Sequence, residues 1–192
     1  MKRIFLAIML LILTVTPIMA GNIVGLKGGL NIATVKGDDI ADGVSTKTGF
    51  NLGAFFMIPV NEILTIQPEI LYSSKGYTGT TDKVANLNYL EIPVLLKFSF
   101  GEGVKPSIFV GPYLSMLLSA DYNGSDVKDS FESTDFGIVI GAGIDIDMGD
   151  GVFTIDGRYS LGLSNNFKPV LGTTFDAKNA NISISIGYGV KF

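Results

Sequence analysis

The charged side chains of this 192-residue chain are carboxylates, amines and guanidinium groups, and it contains no cysteine and no histidine. That removes thiolate nucleophiles, disulfides, thiolate or imidazole metal sites and every histidine-based triad. Two carboxylates, Glu69 and Glu91, fall on neighbouring segments near Lys97, and such a pair can in principle share acid/base work. No nucleophile accompanies them, and a salt-bridge network with nearby Lys and Arg is the simpler reading. The run Asp145-Ile-Asp147-Met-Gly-Asp150-Gly151 clusters oxygens as a hard cation requires. Counted from Asp145, however, an EF-hand loop needs Gly at position six and Glu at twelve, where this chain has Asp150 and Asp156. Two inward carboxylates followed by a tight turn account for the run better. No catalytic residue, metal site or cofactor is expected.

The elements that must position these groups show a period of two, the signature of strands. At the C-terminus, Ile182, Ile184, Ile186, Tyr188, Val190 and Phe192 share one face, while Asn181, Ser183, Ser185, Gly187, Gly189 and Lys191 share the other. Seven further segments read the same way, at about 22–34, 47–58, 63–74, 87–100, 106–120, 134–148 and 152–163, the fifth being the weakest. Phe55 and Met57 interrupt the polar face of the second. Pro68 and Pro93 fall inside strands, where proline removes a ladder donor, so a local bulge or bend in the barrel wall is expected at each. The gaps alternate: about 35–46, 75–86, 121–133 and 164–178 are long and polar, whereas 59–62, 101–105 and 149–151 are tight. Eight strands joined by alternating long loops and tight turns describe an all-β, up-and-down antiparallel barrel of outer-membrane type.

The direction of the faces separates a membrane barrel from a soluble one. The polar faces carry Lys27, Glu69, Glu91, Lys97, Asp145, Asp147, Asp156, Arg158 and Lys191, and the opposite faces are almost pure Ile, Leu, Val, Phe and Tyr. Nine ionisable groups of both signs suit a packed interior of ion pairs, whereas a Lys or Arg facing lipid at mid-depth costs about 2–4 kcal/mol. A soluble periplasmic lipid-binding barrel, with its apolar face inside, is the competing arrangement. Aromatics near strand ends (Phe100, Phe153, Tyr188 and Phe192, with Tyr72 and Tyr122 opposite) fit interfacial girdles. Phe192, as the terminal aromatic, is expected to signal to the barrel-insertion machinery.

The N-terminus fits export. Met1-Lys2-Arg3 precedes an apolar run from Ile4 to Leu13 and then Thr14 to Ala20, the layout of a secretory signal peptide. Cleavage is expected between Ala20 and Gly21, giving a signal peptide over 1–20 and one barrel domain over 21–192. A retained helical anchor is the alternative, but the run is short for a ~30 Å hydrocarbon core. The whole chain carries a net charge of −4, and no basic footprint for nucleic acid is present.

Several segments together resemble a known family. These are Gly25-Leu-Lys27-Gly28-Gly29-Leu-Asn31, Gly49-Phe50-Asn51-Leu52-Gly53, Gln67-Pro68-Glu69-Ile70-Leu71-Tyr72-Ser73, and above all Tyr89-Leu90-Glu91-Ile92-Pro93-Val94-Leu95-Leu96-Lys97. Gly111-Pro112-Tyr113, Gly141-Ala-Gly143, Arg158-Tyr159 and Phe192 follow in order. The set is similar to the PorT-like outer-membrane β-barrels common in Bacteroidota, over essentially the whole mature chain. The resemblance implies an eight-stranded barrel in the cell outer membrane and no settled biochemical role. An accessory part in a secretion or assembly machinery follows from the family's founding member alone. The reading favoured by the residues is a non-enzymatic barrel, structural or loop-presenting, with an interior filled by its own side chains. Small-barrel lipid A acyltransferases, deacylases and omptin-type proteases rely on a histidine that is absent here. Expected partners are outer-membrane lipid or lipopolysaccharide, the insertion machinery, and an unknown protein at the extracellular loops. Asp38, Asp39, Asp42, Asp121, Asp126, Asp129 and Glu132 would make those loops an acidic rim.

Overall fold

The computed structural model describes residues 21–37, 40, 43–80, 83–168 and 176–192. The expected signal segment through Ala20, and the loop acids Asp38, Asp39 and Asp42, lie outside the described residues. The strands are β1 (Ile23–Lys36), β2 (Ser45–Pro59), β3 (Leu64–Thr78), β4 (Val84–Ser99), β5 (Val104–Tyr122), the two-residue β6 (Ser125–Asp126), β7 (Thr134–Met148), β8 (Gly151–Gly162) and β9 (Lys178–Lys191). β6 folds back on the end of β5, and a 3-10 turn at Lys128–Ser130 follows it. The other eight strands form one antiparallel wall, each hydrogen-bonded to its neighbours.

The wall closes on itself. β1 pairs with β9 from Ile23↔Lys191 to Lys36↔Lys178. Beyond that ladder, the Phe192 amide donates to the Asn22 carbonyl at 3.0 Å and the Gly21 amide donates to the Phe192 carbonyl at 3.3 Å. Closure leaves no edge, as hydrocarbon surroundings require. The registers can be carried round the wall from Val24 through Phe56, Pro68, Val94, Pro112, Ile138, Leu161 and Ala180. They return to β1 at Thr34, ten residues beyond the start. Eight strands with that stagger tilt by about 40° and leave an interior just wide enough for side chains.

The faces are inside out relative to a soluble protein. Leu26 is 70% exposed and Ile184 63%, whereas Lys27 is 3% and Arg158 5% exposed. On β1 the outward apolar stretch runs from Val24 to Ile32 and gives way to Thr34 and Lys36. At about 3.3 Å per residue and this tilt it rises about 20 Å between Cα atoms, matching the apolar belt of outer-membrane barrels once side chains are added. The soluble arrangement is thereby excluded. The tight-turn end carries the first and last described residues, Gly21 and Phe192, and the Phe56 and Phe192 rings meet there at 5.8 Å. At the opposite end Phe50 and Tyr72 meet at 5.6 Å on the outer surface.

The structure departs from the sequence reading at several points. β3 and β4 extend further than the composition suggests, so the second long gap shrinks to residues 79–83 and the alternation of loop lengths is less strict than the sequence suggested. The fifth segment, weakest in pattern, forms the longest strand, because β4 and β7 pair with it along nearly its whole length. Neither Pro68 nor Pro93 makes a bulge: the β3–β4 register is the same at Pro68↔Val94 as at Leu71↔Glu91, and Pro93 stands opposite Tyr113 in β5. The register shifts lie instead between Thr46 and Asn51 on the β2–β3 ladder, and between Asn88 and Tyr89 on β4–β5. The second shift turns Tyr122 to the inner face, opposite Ala85, and takes it out of the expected girdle.

Inward glycines face inward aromatics across the ladders. Gly25 opposes Phe55, Gly137 opposes Tyr113, and Gly141 stands between Phe109 and Arg158. A methyl added at Gly141 would fall 2.5 Å from the Phe109 ring and from the Gly157 carbonyl oxygen; one added at the outward-facing Gly157 would meet nothing within 4 Å. Gly141→Ala should therefore lower unfolding stability in urea by about 1–3 kcal/mol, while Gly157→Ala stays within about 0.5 kcal/mol of the parent. Folded protein is read as the fraction that migrates differently unboiled and boiled on SDS gels, a shift that a closed barrel should show. Equal effects of the two substitutions would contradict the close packing at Gly141.

Candidate functional site

The barrel interior is a polar column flanked on one side by the apolar cluster of Leu95, Phe109, Tyr113 and Val139, with a further apolar cluster at each end. At its centre Lys27 lies between Gly53 and Gly187 on the adjacent strands, so its side chain has room to cross the interior. Its Nζ donates to Glu69 Oε1 at 3.2 Å and to Asp156 Oδ2 at 2.6 Å. Arg158 reaches the same two acids, with Nη1 on Glu69 Oε2 at 2.8 Å and Nη2 on Asp156 Oδ1 at 2.8 Å. Gln67 also donates to Glu69, at 2.7 Å. Two cations and two anions thus close a ring among β1, β3 and β8, with the Arg158 guanidinium 5.4 Å from the Phe109 ring centroid.

Two further pairs flank the ring. Lys97 donates to Asp145 at 2.6 Å near the tight-turn end. Towards the loop end Lys75 pairs with Glu91, which also accepts from Ser115 at 3.3 Å. The Lys75 ammonium lies 5.7 Å from the Tyr89 ring centroid and 5.1 Å from that of Tyr113. Amides fill the space between these pairs: Asn51 donates to Asn31 at 2.9 Å, and Asn31 donates to Ser73 Oγ at 3.1 Å. Asp135 is held by neutral donors, with Ser164 at 2.6 Å, Asn179 at 3.0 Å and Tyr113 at 3.2 Å.

Of the nine residues expected inside, Lys27, Glu69, Glu91, Lys97, Asp145, Asp156 and Arg158 are buried there. Asp147 and Lys191 are not. They sit at the tight-turn rim with Lys105, where Asp147 accepts from Lys191 and from Lys105, both at 3.0 Å, and the side chains are about a third exposed. The reason is position: Asp147 is next to the last residue of β7 and Lys191 is the last of β9, where the wall ends and water begins. Lys75 was missed because Ser73-Ser74-Lys75-Gly76 has a loop's composition. The signal was available, since Lys75 is the next inward position after Gln67, Glu69, Leu71 and Ser73.

Both ends of the column are apolar. Ile23, Phe55, Met57 and Val152 pack together at the tight-turn end. Leu87, Tyr89, Leu117, Ala120 and Phe131 do so under the loops, with Val127 and Phe167 against them. Phe131 and Phe167 bridge two loops through a backbone contact, their rings 4.7 Å apart. A void among Asn31, Asn51, Ser73, Glu91, Arg158 and Asn181 has a volume of about 10 Å³, room for roughly one water. Phe55 and Met57, which break the polar alternation of β2, are therefore part of the seal.

Comparison with known proteins agrees with this architecture. The family described as outer membrane protein beta-barrel domain matches residues 21–168. The chain belongs to that family. It is a protein of the outer membrane. Three solved outer-membrane barrels show how general the fold of this beta-barrel family is. OprG of Pseudomonas aeruginosa superposes with a TM-score of 0.56 at 16% identity, covering 90% of this chain and 96% of its own. Neisserial surface protein A gives 0.56 at 17%, covering 88% and 97%. Outer membrane protein W of E. coli gives 0.51 at 15%, covering 92% and 100%. No curated protein gives a significant sequence match. At such identities these likenesses carry the fold.

Removing one partner of a buried pair strands the other charge, whereas replacing both with apolar groups is close to neutral. Lys97→Met or Asp145→Leu alone should cost about 3–5 kcal/mol, and the double variant should lie within about 1 kcal/mol of the parent in urea unfolding. Additive single effects would show that Lys97 and Asp145 do not act as a pair.

Proposed function

We propose that this protein is a non-enzymatic outer-membrane barrel with a permanently filled interior, whose work is done by its outer surface and its extracellular loops. The observation that carries the reading is the double seal. Lysine, arginine and carboxylate side chains pair with one another along the column, and the apolar clusters around Phe55 and Phe131 close its two ends. A solute would have to break the Lys27–Glu69–Arg158–Asp156 ring and displace both clusters. The carboxylates that might have held a metal or moved a proton are engaged by lysine, arginine or amide donors.

The finer assignment belongs to the same proposal. The ordered motifs from Gly25 to Arg158 support a PorT-like barrel, exported after cleavage between Ala20 and Gly21, with Phe192 presented to the insertion machinery. A protein partner at the loops is part of the same proposal, and the void among Asn31, Asn51 and Arg158, with room for about one water, supports it.

Reconstituted into planar bilayers, the folded wild-type protein should give no stepwise ion conductance at either polarity. Steady conductance from protein shown to be folded by its gel shift would overturn the sealed reading and make the barrel a pore.

A further inference from the structure

We propose that Lys36 and Lys178 form a docking site on the outer wall for the phosphate of an anionic glycolipid in the outer leaflet. The inference is independent of the sealed interior and uses only the barrel's place in the outer membrane. Three observations carry it, the first being position. Lys36 and Lys178 lie four residues beyond Ile32 and Ile182, the last exposed apolar residues of β1 and β9 before the loops. That distance corresponds to about 10 Å along the barrel axis, which is the level of lipid headgroups above the hydrocarbon edge.

The second observation is pairing. Lys36 and Lys178 stand directly opposite each other in the β1–β9 ladder, an arrangement of like charges that is unfavourable in a sheet. Asp176 holds Lys178 at 2.6 Å, and the Lys36 ammonium lies 5.8 Å from the Tyr159 ring centroid. No carboxylate among the described residues makes an ion pair with Lys36. An anion with several oxygens, seated between the two ammonium groups, would remove the repulsion, and the phosphate of a lipid A-type glycolipid has that chemistry at this height.

The third observation is singularity. Among the described residues, Lys36 and Lys178 are the only basic side chains at outward-facing positions of the wall strands. Lys47 and Lys75 point inward on β2 and β3, and Lys105 and Lys191 join Asp147 at the opposite rim. Between the belt and that level, the other strands present the uncharged Thr48, Asn88 and Thr134, Thr48 standing opposite Ile32. The outward positions of the wall strands thus carry basic charge at one pair only, as a discrete lipid site requires; the outward Asp121 of β5 and the exposed Lys128, on the Leu118 carbonyl, lie on another part of the wall.

The test is native mass spectrometry of the protein purified in mild detergent and mixed with phosphorylated lipid A. Wild type should retain one lipid A, and the double variant Lys36→Gln/Lys178→Gln should lose that retention by about tenfold. The charge-keeping Lys36→Arg/Lys178→Arg variant should restore it, and lipid A stripped of its phosphates should not be retained by wild type. The heat shift on SDS gels identifies folded protein in each case, so a collapsed barrel is distinguished from a lost site. Equal retention by wild type and the Gln variant, equal retention of the dephosphorylated lipid, or no retention by wild type would each overturn the proposal.

Discussion

In hydrocarbon, a backbone amide or carbonyl without a partner costs several kcal/mol, and the rest of this structure follows from meeting that cost. The β1–β9 ladder, continued by Gly21, Asn22 and Phe192, turns a meander into a closed wall. Closure links strand number to stagger, and eight strands with a ten-residue stagger set an interior only as wide as its own side chains. The lumen of such a wall has to be packed. Here its contents are sorted by size, with glycines opposite Phe55, Tyr113 and Phe109 and on both sides of Lys27.

The charge chemistry is a consequence of the same geometry. Inward positions on every strand converge on one axis, so Glu69 from β3, Lys27 from β1 and Arg158 and Asp156 from β8 meet although Lys27 and Asp156 are 129 residues apart in sequence. Buried charges of both signs are tolerated because each has a partner. Apolar clusters at the two ends exclude water from those pairs, and in a dry medium each pair is held more tightly. A filled, cross-braced lumen leaves the outer wall and the loops as the surfaces on which the protein meets other molecules.

The outer wall has its own pattern. Its apolar belt ends at nearly one height on neighbouring strands, at Ile32, Phe50 and Tyr72, and above it stand threonines, asparagines and Asp121 with one basic pair. Above the belt two register shifts bend the ladders. The one on β4–β5 moves Tyr122 to the inner face, a change that residue-by-residue alternation on β5 cannot reveal.

The amino-acid sequence by itself determined the class of fold, its inversion and its chemistry of exclusion. Alternation from Ile182 to Phe192 and in seven further segments specifies strands, ionisable groups confined to the minority faces specify which face is inside, and the lack of Cys and His removes most catalytic machinery. These are local properties, readable at a spacing of two residues. Only the tertiary structure decided who pairs with whom. Stagger determines that Lys27 meets Asp156, that Lys75 belongs inside with Glu91, and that Asp147 and Lys191 end at the rim. It also decided that Phe55 and Met57 seal the column and that Pro68 and Pro93 pass without a bulge. The physical reason is that period-two alternation gives each residue a side of the wall but not a height, and height is a property of the closed barrel as a whole.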